Sequence, residues 1–281
     1  MTQINMDTFS EYTKSNKYSI KESAAPRYTL FPKSKYELKR MIKEEIMALG
    51  DNADLNHIDV SKITDLSGLF ETSAFEGDIS KWDVSNVKNM DNMFSNSWFN
   101  GDISNWDVSK VESMSKMFQY SVFNGDLSDW DVSKVKDMSY MFSYCKSFNQ
   151  DLSGWDVSNV ANMSCMFYYA SSFNGDISTW DVRKVKSMNG MFLNSNFNGN
   201  LKRWNTKNVE NMNAMFYGCK SFNQDISRWN VSKVTDMTDM FNGCTSFNQD
   251  LSRWDVSKVF LHYEMFNDCP CPEEHQPEFS K

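Results

Sequence analysis

Between Ile58 and Phe266 the hydrophobic and polar positions follow one phrase, Trp-Asp-Val-Ser-x-Val-x-x-Met-x-x-Met-Phe, which returns about nine times at intervals of 24 or 25 residues. Trp82, Trp106, Trp130, Trp155, Trp180, Trp204, Trp229 and Trp254 open eight copies, and Ile58 takes the Trp place in a degenerate first copy. A fixed period of this size means stacked units, none of which can bury its apolar face alone. Within one copy Val135, Met138, Met141 and Phe142, followed by the small Cys145, are spaced 3, 3, 1 and 3. That is a helical period, and its brevity predicts a short α or 3₁₀ segment. In Phe148-Asn149-Gln150-Asp151-Leu152-Ser153 one aliphatic residue stands between polar neighbours, which predicts a short strand. Stacked copies would pair such strands in parallel, about 4.8 Å apart. The pattern therefore predicts an α/β solenoid of about nine 24–25-residue repeats, with short parallel strands and short α or 3₁₀ segments.

The ends and the constant polar columns refine this. Ser34-Lys35-Tyr36-Glu37 is a capping box, followed by Leu38, Met41, Ile42, Ile46 and Leu49 on one helical face and ended by Gly50. The expected organisation is a flexible N-terminal arm over 1–33, an N-terminal helical cap over 34–57, the repeats over 58–269 and an irregular tail over 270–281. Asn100, Asn124, Asn149, Asn174, Asn198, Asn223 and Asn248 form one column, which predicts an asparagine ladder that satisfies turn backbone groups from copy to copy. Asp83, Asp107, Asp131, Asp156, Asp181 and Asp255 form another, mostly followed two residues later by Ser, as an Asx turn requires. Asn205 and Asn230 replace Asp in that column, so it needs an acceptor rather than an anion.

Composition narrows the function. With 29 basic and 37 acidic residues the net charge is -8, which disfavours a general nucleic-acid or anionic-membrane surface. The apolar runs are far too short to cross a bilayer. Met1 to Ser23 lacks the basic start, apolar core and small-residue cleavage site of an export signal, so the chain by itself reads as cytoplasmic. Of six cysteines, Cys145, Cys219, Cys244 and Cys269 all fall three residues after the motif Phe, where other copies carry Ser or Ala. That column wants a small side chain, which predicts reduced, packed thiols over a disulfide framework.

The phrase Val234-Thr235-Asp236-Met237-Thr238-Asp239-Met240-Phe241-Asn242-Gly243-Cys244-Thr245-Ser246-Phe247 resembles the repeat of the BspA-like leucine-rich-repeat proteins of bacteria, and the match recurs over 58–269. The resemblance implies a right-handed, leucine-rich-repeat-like solenoid. For many members it implies a cell-surface role in adhesion or in binding host proteins, and it opens surface or virion display for this chain. The family has no single activity that transfers to named residues.

Columns that vary between copies are where a partner is recognised. Tyr120, Tyr144 and Tyr169 occupy one turn position in three consecutive copies, with Tyr140, Tyr168, Trp98 and Tyr217 near them in sequence or register. The same position elsewhere holds Asn96, Asn194, Gly218 or Gly243. Tyrosine gives a large contact area at low entropic cost, so the strip suits a protein or glycan partner; alternatively the rings only stabilise adjoining copies. Arg203, Arg228 and Arg253 precede the Trp in three later copies, and stacked like charges call for an anionic neighbour, either Asp side chains or an anionic partner. The column Asp78, Asp102, Asp126, Asp151, Asp176, Asp225 and Asp250 lacks the mixed carbonyl and glycine geometry of a calcium loop. Cys269, Cys271 and His275, with His262, have weak metal spacing, so no metal and no cofactor is expected. His57, His262 and His275 all lie at the ends, and no nucleophile elbow, phosphate loop or zinc motif is present. The expected function is a non-enzymatic scaffold that binds a macromolecule, with a self-associating component of a bacterial surface or virion layer as the alternative.

Overall fold

The computed structural model describes residues 28–279. The arm expected over 1–33 lies outside the described residues as far as Arg27. Beyond that point Leu30 forms a parallel bridge with Ile58, and the Thr29 N–H donates to His57 O at 2.9 Å.

One α-helix, α1 (Lys35–Leu49), is present among the described residues. The Ser34 hydroxyl accepts the Glu37 N–H, satisfying one of the helix's orphan donors, and the Glu37 carboxylate in turn accepts the Lys33 N–H at 2.9 Å. Gly50, at φ 89°, ends the helix and donates to Ile46 O at 2.8 Å. The inward face is narrower than the apolar pattern implies: Leu38 and Ile42 are buried and Ile46 partly so, while Leu49 is exposed. On the flank of α1, Lys35 pairs with Asp65 at 3.2 Å and bonds Ser67, and Lys39 Nζ donates to Gly68 O at 3.2 Å.

The α/β leucine-rich-repeat-like solenoid does not hold. Among the described residues there is no sheet; regular structure amounts to α1, a 3₁₀ turn at Glu273–His275 and isolated one-residue bridges. Apart from Leu30–Ile58 and from Asp54–Asp78, which falls in the expected strand segment of the first full copy, the bridges also lie elsewhere than the expected strand. They join Asp65, Asn89, Ser113, Asp137, Asn162, Ser187, Asn211, Asp236 and Leu261, each to the next, at the residue before the first motif Met or its equivalent.

The reason is local. In Phe148–Ser153 the Asp151 carboxylate takes the Ser153 N–H at 2.8 Å, and Leu152 O takes the Trp155 N–H at 3.1 Å. Backbone groups that a strand would offer to a neighbour are consumed in turns, the competition that Asp and Asn side chains set up against regular structure. The Met-Phe segment fails as a helix because Tyr140 and Tyr144 take positive φ (58° and 56°), and a left-handed residue stops helical propagation. In its place the N–H groups alternate: those of Met141, Ser143 and Cys145 close turns on Met138, Tyr140 and Phe142, while those of Met138, Tyr140, Phe142 and Tyr144 donate to the next copy.

The copies are nonetheless in register. The motif phenylalanines from Phe70 through Phe94, Phe118, Phe142, Phe167, Phe192, Phe216 and Phe241 to Phe266 stack with centroids 5.6 or 5.7 Å apart. Each of the eight motif Trp indole N–H groups donates 2.9–3.3 Å to the carbonyl of the inward Leu or Ile one copy earlier, as Trp180 does to Leu152 O. The asparagine ladder forms: the N–H of Asn124, Asn149, Asn174, Asn198, Asn223 and Asn248 each meets the side-chain oxygen of the Asn below at 2.8–3.1 Å. The apolar core is thus one continuous column closed at its start by α1.

Candidate aromatic binding site

Every copy from Gly68 and Thr72 to Glu264 and Asp268 holds two residues with φ between 51° and 73°, four apart in sequence. Tyr120 (57°), Tyr144 (56°) and Tyr169 (54°) belong to the second of these columns, and Tyr140 (58°) to the first. An L-residue in this region costs roughly 1–2 kcal/mol, which is why Asn96, Asn194, Gly218 and Gly243 hold the same place in other copies. Each tyrosine N–H is secured to the next copy, Tyr120 to Ser143 O, Tyr144 to Tyr168 O and Tyr169 to Leu193 O at 2.7–2.8 Å. The backbone geometry is therefore imposed by stacking, and the side chains project from it in line.

The rings lie one on another. Tyr120 and Tyr144 have centroids 4.4 Å apart, and Tyr144 and Tyr169 4.7 Å, closer than the motif phenylalanines of successive copies. Tyr168 packs edge-on against both Tyr144 and Tyr169, at 5.2 and 4.8 Å. A hydrogen bond with Tyr168 raises the Tyr144 phenol above its ordinary pKa. Tyr120 is 52% exposed, beside the exposed Val122 (48%), and Trp98 (64%) stands one copy earlier in the same turn position as Val122. The corner thus offers a tyrosine stack flanked by a Trp and a Val; Val122 escaped the sequence reading because one exposed Val in a polar turn carries no periodic signal.

Tyr140 and Trp98 make no ring contact with this stack; Tyr140 lies under Lys116 Nζ, 5.7 Å from its centroid. Arg203, Arg228 and Arg253 are exposed and form none of the ion pairs among the described residues, while the adjacent Lys202 pairs with Asp225 at 2.8 Å. That lysine, with the Ser227 hydroxyl and N–H, pulls the Asp225 carboxyl down to about 2.

The carboxylate columns are turn caps. Asp102, Asp126 and Asp176 each accept the N–H of the Ser two residues on, at 2.8–3.0 Å, and that bond lowers their pKa values. Asn205 and Asn230 cap in the same way with neutral oxygens. No group of three or more His, Cys, Asp or Glu side chains comes together among the described residues. Cys269 Sγ and Cys271 Sγ point to Phe247 O and Gln249 O, His275 Nδ1 lies 3.3 Å from Asn248 O, and His262 stacks on Phe279. The cysteines of the described residues are free. Burial pushes the Cys145 and Cys219 thiols up to about 12, so they pack as small apolar groups rather than acting as nucleophiles.

The chain thus combines projecting rings on stacked turns with turn-capping acids and buried thiols. No helix among the described residues is long and apolar enough to cross a membrane. No curated protein and no solved structure matches the chain. Three successive stretches, residues 37–122, 119–196 and 192–274, match the family described as "Mycoplasma protein of unknown function, DUF285", and the chain is a tandem-repeat member of that family.

Proposed function

We propose that the chain is a non-enzymatic binding scaffold whose contact surface is the Tyr120–Tyr144–Tyr169 column with Tyr168, Val122 and Trp98 beside it. The observation that carries this is the placement of three aromatic residues in consecutive copies at left-handed positions, where other copies use the smaller Asn, Gly, Asp or Thr. Strain of this kind accumulates at functional sites, where something other than backbone preference selects the residue. A protein partner is favoured over a glycan because the rings cover one another's faces, leaving edges and hydroxyls outward, whereas a sugar stacks on an open ring face. The likeness of the repeat to BspA-like surface proteins supports the finer reading, adhesion at a bacterial surface. Affinity capture with the immobilised chain tests the site. A partner held by the wild type should be lost by Tyr144→Asn/Tyr169→Asn at an unchanged unfolding midpoint; equal capture by both overturns it.

Exposed Phe260 (69%) and Tyr263 (70%) on the last copy favour assembly as a second reading. The N–H groups of His262, Glu264, Phe266 and Asp268, whose counterparts in earlier copies bond upward, meet no acceptor among the described residues. Such a donor edge pairs with an acceptor edge and not with its own kind, so this assembly would run head to tail, against the end that α1 covers. Light scattering that shows no growth in mass with concentration rejects it.

A further inference from the structure

On another part of the surface four lysines and an arginine converge. Lys184, Lys186 and Lys233 line a groove with Asn159, Asn208 and Glu210, and an adjoining hollow that shares Lys184 and Asn208 adds Arg183 and Lys207. All five basic side chains are exposed. Arg183 is neutralised by its own two-oxygen bond to Asp181, at 2.6–3.0 Å. The lysines are not: among the described residues none of them forms an ion pair, and Glu210 is the one other acid that lines the groove.

Two of the ammonium groups are instead positioned by neutral amides. Lys184 Nζ donates to Asn159 Oδ1 at 2.6 Å and Lys233 Nζ to Asn208 Oδ1 at 2.8 Å. Each asparagine is itself fixed, since Asn159 Nδ2 holds Ser133 O at 2.7 Å and Asn208 Nδ2 holds Arg183 O at 2.8 Å. An amide acceptor orients an ammonium without cancelling its charge and leaves its remaining donors free. The same arrangement occurs outside the groove as a single pair, Lys110 Nζ to Asn86 Oδ1 at 2.8 Å, while Lys136 is held by the Glu112 carboxylate at 2.6 Å; the groove is where two such lysines and two further unpaired ones come together. The result is a preorganised cationic strip that crosses successive copies of a chain whose net charge is -8.

We propose that this groove binds a sulfated polysaccharide. An extended acidic peptide gains affinity from a free backbone edge or apolar pockets, and here the backbone beneath is already paired: Lys186 N–H to Ala161 O, Glu210 N–H to Lys186 O and Thr235 N–H to Glu210 O, at 2.8–2.9 Å. A single-stranded nucleic acid needs aromatic platforms, and no aromatic residue lines the groove. What is left is recognition by closely spaced charge alone, which sulfate groups along a linear sugar chain supply. Lysine ammonium groups, as point charges, suit that irregular pattern better than forked guanidinium groups.

The inference is independent of the tyrosine column. Titration calorimetry of the full chain with a heparin oligosaccharide tests it, at roughly 50 mM and 200 mM salt. The groove should bind at the lower salt and weaken about tenfold or more at the higher, as counterion release requires. Lys184→Gln/Lys233→Gln should bind about tenfold more weakly, whereas Lys62→Gln/Lys258→Gln, in the same column but outside the groove, should match the wild type. Unchanged unfolding midpoints establish that both double variants fold. Absent binding at low salt overturns the proposal, and so does equal loss in the two double variants. Poly-glutamate or a single-stranded oligonucleotide that binds as tightly at equal charge also overturns it, assigning the groove to that class.

Discussion

A residue can be chosen for its backbone or for its side chain, and the left-handed columns separate the two. Gly218, at φ 65°, is selected by its backbone, and a Cβ there would have to displace only the Asn194 side-chain amide. Tyr144, in the same column three copies earlier, is chosen against its backbone. Tyr144→Gly removes a left-handed cost of roughly 1–2 kcal/mol and forfeits ring stacking of about 0.5–1.5 kcal/mol per pair. With three ring contacts to lose, the net change should lie between none and a loss of about 3 kcal/mol by denaturant unfolding; a loss above about 4 kcal/mol would make the tyrosines structural and remove the case for a contact surface. The need for an acceptor in the Asp column was legible from Asn205 and Asn230, because two chemistries that share only an oxygen report what the site uses. The positive φ values were not legible, since Tyr, Lys116 and Cys165 mask positions that Gly and Asn would have advertised.

At the scale of the element, one pattern admitted two readings. Apolar residues three and four apart are equally served by a helix and by chained turns that send every second N–H to a neighbouring copy. The decision rests on what bonds to each N–H, which a single copy in isolation does not contain. The same holds for the expected strand, where Asx turns and a lone bridge replace a ladder. Helix α1 is different, because Ser34, Glu37 and Gly50 act within their own segment. The tryptophan column gives the energetic test of stacking. Trp180→Phe keeps most of the apolar burial and loses the 2.9 Å bond to Leu152 O, which should cost about 2 kcal/mol from the hydrogen bond and lost volume together. A variant as stable as the parent in chemical denaturation would show that the indole N–H contributes nothing to the fit between copies.

For the whole molecule, the many capped carboxylates make acid the natural denaturant. Asp102, Asp126 and Asp176, lowered by the N–H of the following Ser, and Asp225, pulled down to about 2 chiefly by Lys202, have folded pKa values below their unfolded ones. Their contribution is present above the unfolded carboxyl value of about 4 and is lost as pH falls through the folded values. The unfolding midpoint should therefore hold from about pH 7 to 5 and decline below about 4, with a shallower decline in Asp225→Asn; a midpoint flat to about pH 2 would contradict the caps' role. By itself the sequence determined the repeat, its register, the helix at Ser34–Gly50 and which columns face inward, because these follow from identities recurring at one period. Only the tertiary structure decided that the copies meet through single bridges and side-chain ladders rather than a sheet, that three tyrosines stack at strained positions, and that Lys184 and Lys233 are held by asparagines across copies. Each of those depends on partners 24 or 25 residues away, and on whether a turn or a neighbour captures a given N–H.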